Sequence, residues 1–358
     1  MKKLFFVCSW NKRKELTWSG ICWGLYKSLK KYYDIQDVDI SNVRAPLYKR
    51  IFKKLLGRKD LGYSDVIAQK RYLEGKGIQK GVCFQFTDIV ENSSCVETYM
   101  FQDCSSAAVL DIRMNNLVAR DFCFSSCSIA AIKKRADLEM RYLNSCSGIF
   151  TLCRWLANDY VNRLGVPREK VHYVGSGVNV DVDKIDGTNR KGKKVLFVGK
   201  DFKRKGGFAV VAGYKKLKEL MPDAELYVAG PSEDPIKEDI EGYHFMGLCE
   251  RSQLNELYNT CDVFALPSYF EAFGIVIAEA LVFGLPCLVR NVFDMPYVVE
   301  HNVTGWVISE DNPSDIGNAL FELLNDKKYR DNVNARRDFY LKEYSWDTVA
   351  KRIHEVIN

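Results

Sequence analysis

The chain has 358 residues, 47% hydrophobic, 27% charged and 13% aromatic, which excludes a mainly disordered polypeptide and leaves room for two cores. Its net charge is +6, and the basic excess is concentrated at the start, where residues 1–60 carry fifteen Lys and Arg against five Asp and Glu. No apolar run approaches the ~20 residues of a bilayer span; twelve cysteines without a C-x-x-C pair and four histidines off zinc-ligand spacing point to a reducing compartment without a structural metal.

The opening MKKLFFVCSW has the look of a secretory leader, but it lacks a small-residue cleavage site and runs straight into Asn11, Lys12, Arg13, Lys14 and Glu15. It reads as a first buried strand, Leu4–Cys8, in a cytoplasmic protein. Further β-rich runs follow at Asp34–Ile40, Val82–Phe86, Thr98–Phe101, Ile149–Cys153 and Val171–Val174. A second series comprises Val195–Gly199, Glu225–Ala229, Tyr243–Met246, Val263–Leu266, Pro286–Val289 and Trp306–Ile308. Amphipathic stretches such as Phe208–Leu220 and Pro313–Leu324 lie between them. Strands alternating with helices of this length predict parallel sheets built from βαβ units. Between the two series, residues 175–193 are rich in Gly, Asp, Asn and Lys without apolar periodicity, and are the best linker candidate. The fold class is therefore α/β, two doubly wound domains whose ligands bind outside the carboxyl ends of the strands, in a cleft between facing sheets.

Residues 47–59, LYKRIFKKLLGRK, place Leu47, Ile51 and Leu55 four apart among basic residues. This pattern suits an anionic membrane surface, or equally a helix packed on its own domain with a solvated basic face. No nucleic-acid-binding motif accompanies the charge. Two D-x-D triplets, Asp37–Asp39 and Asp181–Asp183, stand away from any phosphate-loop candidate and read as solvated, so no metal is expected.

The most informative segment is 266–286, LPSYFEAFGIVIAEALVFGLP. From Ala272 to Leu288 every residue is apolar, Gly or Pro except Glu279, so this is a core helix bearing a lone carboxylate. Such a group is costly unless paired or functional. The helix starts near Phe273–Gly274, which puts Glu271 in the preceding loop at the carboxyl end of a strand. Two carboxylates can accept pairs of hydroxyls from a polyhydroxyl ligand; the alternative is that Glu279 pairs with a buried Lys or Arg and Glu271 is solvated. A second segment, VLFVGKDFKRKGGF at 195–208, ends a strand in Gly199 and opens a helix after a basic loop at Gly206-Gly207. Phosphates favour such a place, although it is neither of the common nucleotide-loop patterns, and a solvated basic loop is the alternative.

Together these residues resemble the signature of retaining glycosyltransferase family 4, the group 1 transferases of GT-B fold. The matching positions are Pro267, Ser268, Glu271, Phe273, Gly274, Glu279, Ala280, Gly284 and Pro286, with Lys205 and Gly206 in the basic loop. The resemblance covers residues 170–358 and, more loosely, the first half. It implies an N-terminal acceptor domain at 1–180, a nucleotide-sugar donor domain at 181–340, and a helix at 341–358 crossing back to the first domain. It implies retaining transfer of a hexose-type sugar from a UDP- or GDP-sugar to a glycan or lipid-linked acceptor, with the leaving phosphate as base and no cofactor. Glu271 would contact sugar hydroxyls, Glu279 the ribose, and Lys200 and Lys205 the diphosphate. Backbone amides from Phe273 and Gly274 through Ile275 and Val276 would hold sugar and diphosphate. Gly199 and Gly230 fall at the family's nucleotide-pocket strands, and Gly20 where the family approaches acceptor and diphosphate. Lys200 stands where the family has Arg, and so lacks the bidentate fork. Phe293, Asp294, Met295, Pro296 and Tyr297 replace a Gly-Gly-x-Pro-Glu loop near the donor. Asp103, after a strand, lies where many members carry a cleft His or Asp, and equally reads as an ordinary strand-end turn residue. A catalytically silent sugar-nucleotide-binding subunit and a nucleotide-sugar epimerase are the rival readings.

Overall fold

The computed structural model describes residues 1–48, 50–51, 62–75, 81–86, 97–187 and 190–358. The chain divides into two compact units, Met1–Gly177 with Trp346–Asn358, and Val178–Ser345.

In chain order the first unit contains β1 (Lys3–Cys8), α1 (Ile21–Leu29), β2 (Asp34–Asp39), α2 (Tyr63–Gly75), β3 (Val82–Phe86) and β4 (Glu97–Gln102). It continues with α3 (Ser106–Asn115), α4 (Ile129–Ser145), β5 (Gly148–Thr151), α5 (Arg154–Asn162) and β6 (Val171–Tyr173). The second unit holds β7 (Lys194–Val198), α6 (Gly207–Leu220), β8 (Glu225–Ala229), β9 (Tyr243–Gly247), α7 (Arg251–Thr260), β10 (Val263–Leu266) and α8 (Ile275–Val282). After these come β11 (Cys287–Arg290), α9 (Met295–Val298), β12 (Gly305–Ile308), α10 (Pro313–Asn325), α11 (Lys327–Ala335) and α12 (Arg337–Glu343). Helix α13 (Trp346–Ile357) returns to the first unit.

Each unit is built on a six-stranded sheet, ordered β2-β1-β3-β4-β5-β6 and β12-β11-β10-β7-β8-β9, with every pairing parallel. All twelve strands expected from the sequence are present, with ends shifted by a residue or two. Central strands are apolar on both faces because helices cover both, so β3 and β10 are buried at every position. Strand β2 sits at an edge and alternates, which is why it can carry Asp34, Asp37 and Asp39. In the first unit, Phe6 stacks on Phe84 at 5.6 Å and Phe84 on Phe150 at 6.0 Å, an aromatic row crossing the sheet from β1 to β5.

Two sequence expectations need correction. Asp37 is not solvated: it accepts from Trp10 Nε1 at 2.7 Å and forms an ion pair with Lys14, tying β2 to the loop after β1. The segment 175–193 is not a free tether over its described residues. Val178 N donates to Tyr344 O at 2.9 Å, and Asn179 N to Glu279. Arg190 donates to the carbonyls of Tyr258, Asn259, Phe283 and Gly284, satisfying the open ends of α7 and α8 together. Burial pulls the Arg190 guanidinium down to about 10. Of the basic segment 47–59, Lys49 and residues 52–59 lie outside the described residues. Asp181 pairs with Lys184 at 3.4 Å on the surface.

Candidate functional site

In the second sheet the chain leaves β7 toward β8 and β9, then returns to lay β10 on the other side of β7. Connections therefore diverge between β7 and β10, and ligands bind at the carboxyl edge of such a switch point. Two loops meet there: residues 199–206 between β7 and α6, and residues 267–274 between β10 and α8. Tyr269 N donates to Arg204 O at 2.9 Å, and the Arg204 guanidinium returns a bond to Phe270 O. The loops approach so closely that only glycine fits at Gly206, where φ is +76° and a Cβ would lie 2.4 Å from Pro267 O. At the end of β8, Gly230 (φ +114°) is likewise constrained, since a Cβ would lie 2.7 Å from the Gly199 carbonyl carbon.

This construction brings Lys205 Nζ to 2.5 Å from Glu271 Oε2, with both side chains about 15% exposed. Arg204 stands 3.7 Å from the same oxygen and Ser268 Oγ 3.5 Å. Burial works to raise the Glu271 carboxyl, but the charges of Lys205 and Arg204 outweigh it and hold it below the usual carboxylate range. The result is an ionised acceptor and a cation side by side at the loop junction. Arg290, buried in β11, buttresses the loop by donating to Pro267 O at 3.1 Å while its guanidinium lies over the Tyr269 ring at 4.4 Å.

Gly274, at φ +80°, caps α8 and turns the chain so that the amides of Ile275 and Val276 open the helix without intrahelical acceptors. Phe273 is buried beside it. Glu279 is the fifth residue of α8 and buried, and among the described residues no Lys or Arg forms an ion pair with it. Its carboxylate accepts from Asn179 N and Tyr258 Oη, each at 3.2 Å. Burial dominates, and the carboxyl is pushed up to about 7. Lys200 is exposed at the top of β7.

The first unit holds the two remaining candidates. Gly20 (φ +92°) caps α1 after Trp18 and Ser19, both also left-handed. Asp103 follows β4, and its carbonyl accepts from Cys153 Sγ at 3.2 Å. Gly20 and Asp103 thus belong to one unit, and the other eleven candidates to the second.

Sequence reasoning missed Arg204, Asn179 and Tyr258 as partners of the two carboxylates. Nothing local distinguishes Arg204 from its basic neighbours, and Asn179 is a hundred residues from Glu279. It also missed Glu139, which is wholly buried and accepts from Ser106 N at 2.6 Å and Gln102 Nε2 at 3.2 Å; burial raises its carboxyl. A signal existed for Glu139: Ile132, Arg135, Ala136, Glu139, Tyr142 and Leu143 repeat at helical spacing along one buried face. Among the described residues no three His, Cys, Asp or Glu side chains converge as metal ligands.

Residues 181–338 match the family model of "Glycosyl transferases group 1". Over those residues the chain is similar to the group 1 glycosyltransferases. It is 29% identical over 238 residues to an uncharacterized glycosyltransferase of Methanocaldococcus jannaschii, covering 59% of this chain and 60% of that protein. It is also 29% identical over 194 residues to a phosphatidyl-myo-inositol mannosyltransferase of Mycolicibacterium smegmatis, covering 51% and 50%. The chain thus spans about two fifths to three fifths of the length of these and similar curated relatives. Two solved structures share the fold over nearly the whole chain. WaaG, a glycosyltransferase involved in lipopolysaccharide biosynthesis, gives a TM-score of 0.70 at 15% identity, covering 99% of each chain. Sucrose-phosphate synthase of Thermosynechococcus elongatus gives 0.69 at 14%, covering 100% and 98%. The fold is that of GT-B glycosyltransferases.

Glu279 gives the second unit a pH-dependent stability. The folded Glu279 carboxyl, at about 7, stands above its ordinary 4.5. The folded state therefore holds a proton that the unfolded state has lost across that window. The stabilisation is complete below pH 4.5 and disappears as the pH rises through 7, a difference of about 3 kcal/mol. Glu279→Gln is expected to remove this slope, so that thermal unfolding curves of variant and wild type diverge in the variant's favour between pH 5 and pH 8. Parallel curves across that range would mean Glu279 ionises normally in the fold.

Proposed function

We propose that the chain is a retaining hexosyltransferase acting from a UDP- or GDP-sugar onto a glycan or lipid-linked acceptor. The observation that carries this reading is the Lys205–Glu271 pair at the loop junction over the β7/β10 switch point. In the resting site Lys205 neutralises a buried carboxylate; when a diphosphate arrives, the same ammonium can serve the new anion and leave Glu271 to accept sugar hydroxyls. Lys200, exposed at the end of β7, supplies a second cation. The amides of Phe273 to Val276 supply donors at the start of α8. Glu279, already bridging Tyr258 and the backbone of Asn179, takes the ribose. Gly199 makes space for the Lys205 side chain, and Gly206 and Gly230 allow the close backbone approaches that hold the loops together. Relatives named for inositol phosphate and phosphatidylinositol support a polyol or lipid headgroup as acceptor.

In the proposed step the bond from the anomeric carbon to the β-phosphate oxygen breaks, and the acceptor oxygen bonds to that carbon on the same face. The acceptor proton passes to the departing phosphate oxygen, so no strong protein base is demanded. Fixed cations and amides stabilise the charge growing on that oxygen. Asp103 and Gly20 act on the acceptor side, and no metal or cofactor takes part. The enzyme works in the cytoplasm, where nucleotide sugars are supplied; no described helix is long and apolar enough to cross a membrane.

A panel of UDP-, GDP- and ADP-sugars with inositol-phosphate and lipid-pyrophosphate acceptors tests this reading. Release of nucleoside diphosphate is the first readout, and the anomeric proton coupling of the product the second. The expected result is one preferred donor and a product with the donor's anomeric configuration. An inverted product sinks the retaining assignment. Binding of a donor without release in the presence of every acceptor favours the silent binding subunit, and donor conversion without acceptor favours an epimerase.

A further inference from the structure

Strand β4 ends at Gln102 and α3 begins at Ser106, so Asp103, Cys104 and Ser105 make the turn between them. The turn lies at the carboxyl edge of the first sheet, the edge at which parallel sheets bind ligands. Asp103 is one of the two acceptor-side candidates. The other, Gly20, is near it in the fold: the Cys22 thiol, raised chiefly by burial, also feels the Asp103 charge, and Cys22 stands two residues after Gly20.

One carboxylate binds both ends of this turn. Glu139, on α4 and wholly buried, accepts from Gln102 Nε2 on Oε1 at 3.2 Å and from Ser106 N on Oε2 at 2.6 Å. The Tyr160 hydroxyl, on α5, donates to Gln102 Oε1 and lies 3.4 Å from Glu139 Oε1. The Gln102 amide therefore has a fixed sense, oxygen to Tyr160 and nitrogen to Glu139. A third hold comes from Cys153 at the start of α5, whose Sγ donates to Asp103 O at 3.2 Å.

Helix α3 does not depend on this carboxylate for its start. Ser105 Oγ already caps it by accepting from Ala108 N at 2.9 Å. A buried carboxylate is also a costly way to join helices, since apolar residues of similar volume serve as well or better. What Glu139 supplies, and no neutral residue of its size does, is two acceptor oxygens without a donor, one for each end of the turn. A glutamine there has one acceptor oxygen, so one end would be released whichever way its amide pointed.

We propose that Glu139 is a positioning residue for transfer, holding the turn that sets Asp103 toward the acceptor. The proposal rests on the transferase reading above and on Asp103 acting on the acceptor side. Glu139 itself touches no substrate and moves no proton; its effect passes through Asp103. Misplacing a positioned group by about 1 Å can cost about 100-fold in turnover, so the loss of one of two holds on a three-residue turn has a measurable effect.

The test uses the full chain with the donor and acceptor selected from the panel of UDP-, GDP- and ADP-sugars with inositol-phosphate and lipid-pyrophosphate acceptors. Glu139→Gln is expected to lower kcat for transfer by about 10- to 100-fold while the donor KM stays within about twofold, because the residues assigned to the donor lie in the second unit. Ser106→Pro should act in the same direction by another route. It deletes the N–H that Glu139 Oε2 receives, while proline suits the first position of a helix and Ser105 before it is already extended at φ −94°, ψ 153°. Thermal unfolding of each variant sets an assay temperature at which it is folded. Asp103→Ala then separates positioning from general support: in that background Glu139→Gln should lower kcat by no more than about twofold further. Additive losses in the double variant overturn the proposal. So does wild-type turnover by Glu139→Gln or by Asp103→Ala, or a donor KM that rises as steeply as kcat falls. Absence of transfer by the wild type with every pair overturns the proposed function and this assignment together.

Discussion

Lys205→Ala is expected to lower kcat/KM for donor cleavage by about 10²–10³, the range for removing one fixed donor to a developing oxyanion. The same change leaves Glu271 at 15% exposure with Arg204 at 3.7 Å as its nearest remaining cation. Part of any loss could then be structural, because a half-paired buried carboxylate destabilises by up to about 3 kcal/mol. A double-mutant cycle separates the two contributions. Glu271→Gln in the Lys205→Ala background removes the stranded charge, so the double variant should regain most of the lost thermal stability. Turnover should not return, since neither the cation nor the carboxylate is restored. Recovery of both together would show that the pair only holds the two loops in place. Lys205→Arg keeps charge but not shape, and is expected to fall between wild type and Lys205→Ala.

Gly206→Ala is expected to destabilise the second unit by about 2–4 kcal/mol. Two costs combine. A left-handed alanine costs about 1 kcal/mol on its own. The new Cβ would also lie 2.4 Å from Pro267 O, a backbone atom that cannot swing aside. Gly192→Ala is the matching control, because Gly192 has the same φ of +76° but its nearest neighbour would be 3.6 Å away. Differential scanning calorimetry should show Gly192→Ala lowering the transition by a few degrees and Gly206→Ala by about 5–15 °C. If the two variants melt together, the loops can part at small cost, and the close approach of residues 199–206 to 267–274 does not set the site geometry. Donor affinity should follow the same order, since opening this junction moves Lys205 from Glu271.

Much of this architecture was visible in the residue pattern. Buried parallel strands such as Val82–Phe86 and Val263–Leu266 announce themselves as short β-branched and aromatic runs between helical periods. Glu279 stood out because it interrupts an apolar helix, and Gly274 because a helix had to begin there. What the pattern does not contain is distance across the fold. Lys205 and Glu271 are 66 residues apart, and nothing in either loop says they will form an ion pair. Their meeting depends on strand order, which places β10 beside β7 although two strands and two helices separate them in sequence. Asn179 was hidden for another reason: an amide of the backbone leaves no trace in residue type. Asp37 looked solvated because its partners, Trp10 and Lys14, lie on a loop whose path only the fold defines.

The return of α13 to the first unit bears on how the chain is made. Val349, Ala350, Ile353 and Ile357 are buried in the same core as Leu4, Phe6, Leu25 and Phe84. Asp347 holds Ser28 and Lys31 of the α1 region, each within 2.8 Å. A ribosome delivers those residues only after all of Val178–Ser345 has emerged. The unit translated first therefore waits longest, with one wall of its core open, while the unit translated second has every strand of its sheet in hand. Synthesis order and completion order are reversed, and a nascent first unit has most need of chaperone cover during the interval when its partner is being polymerised.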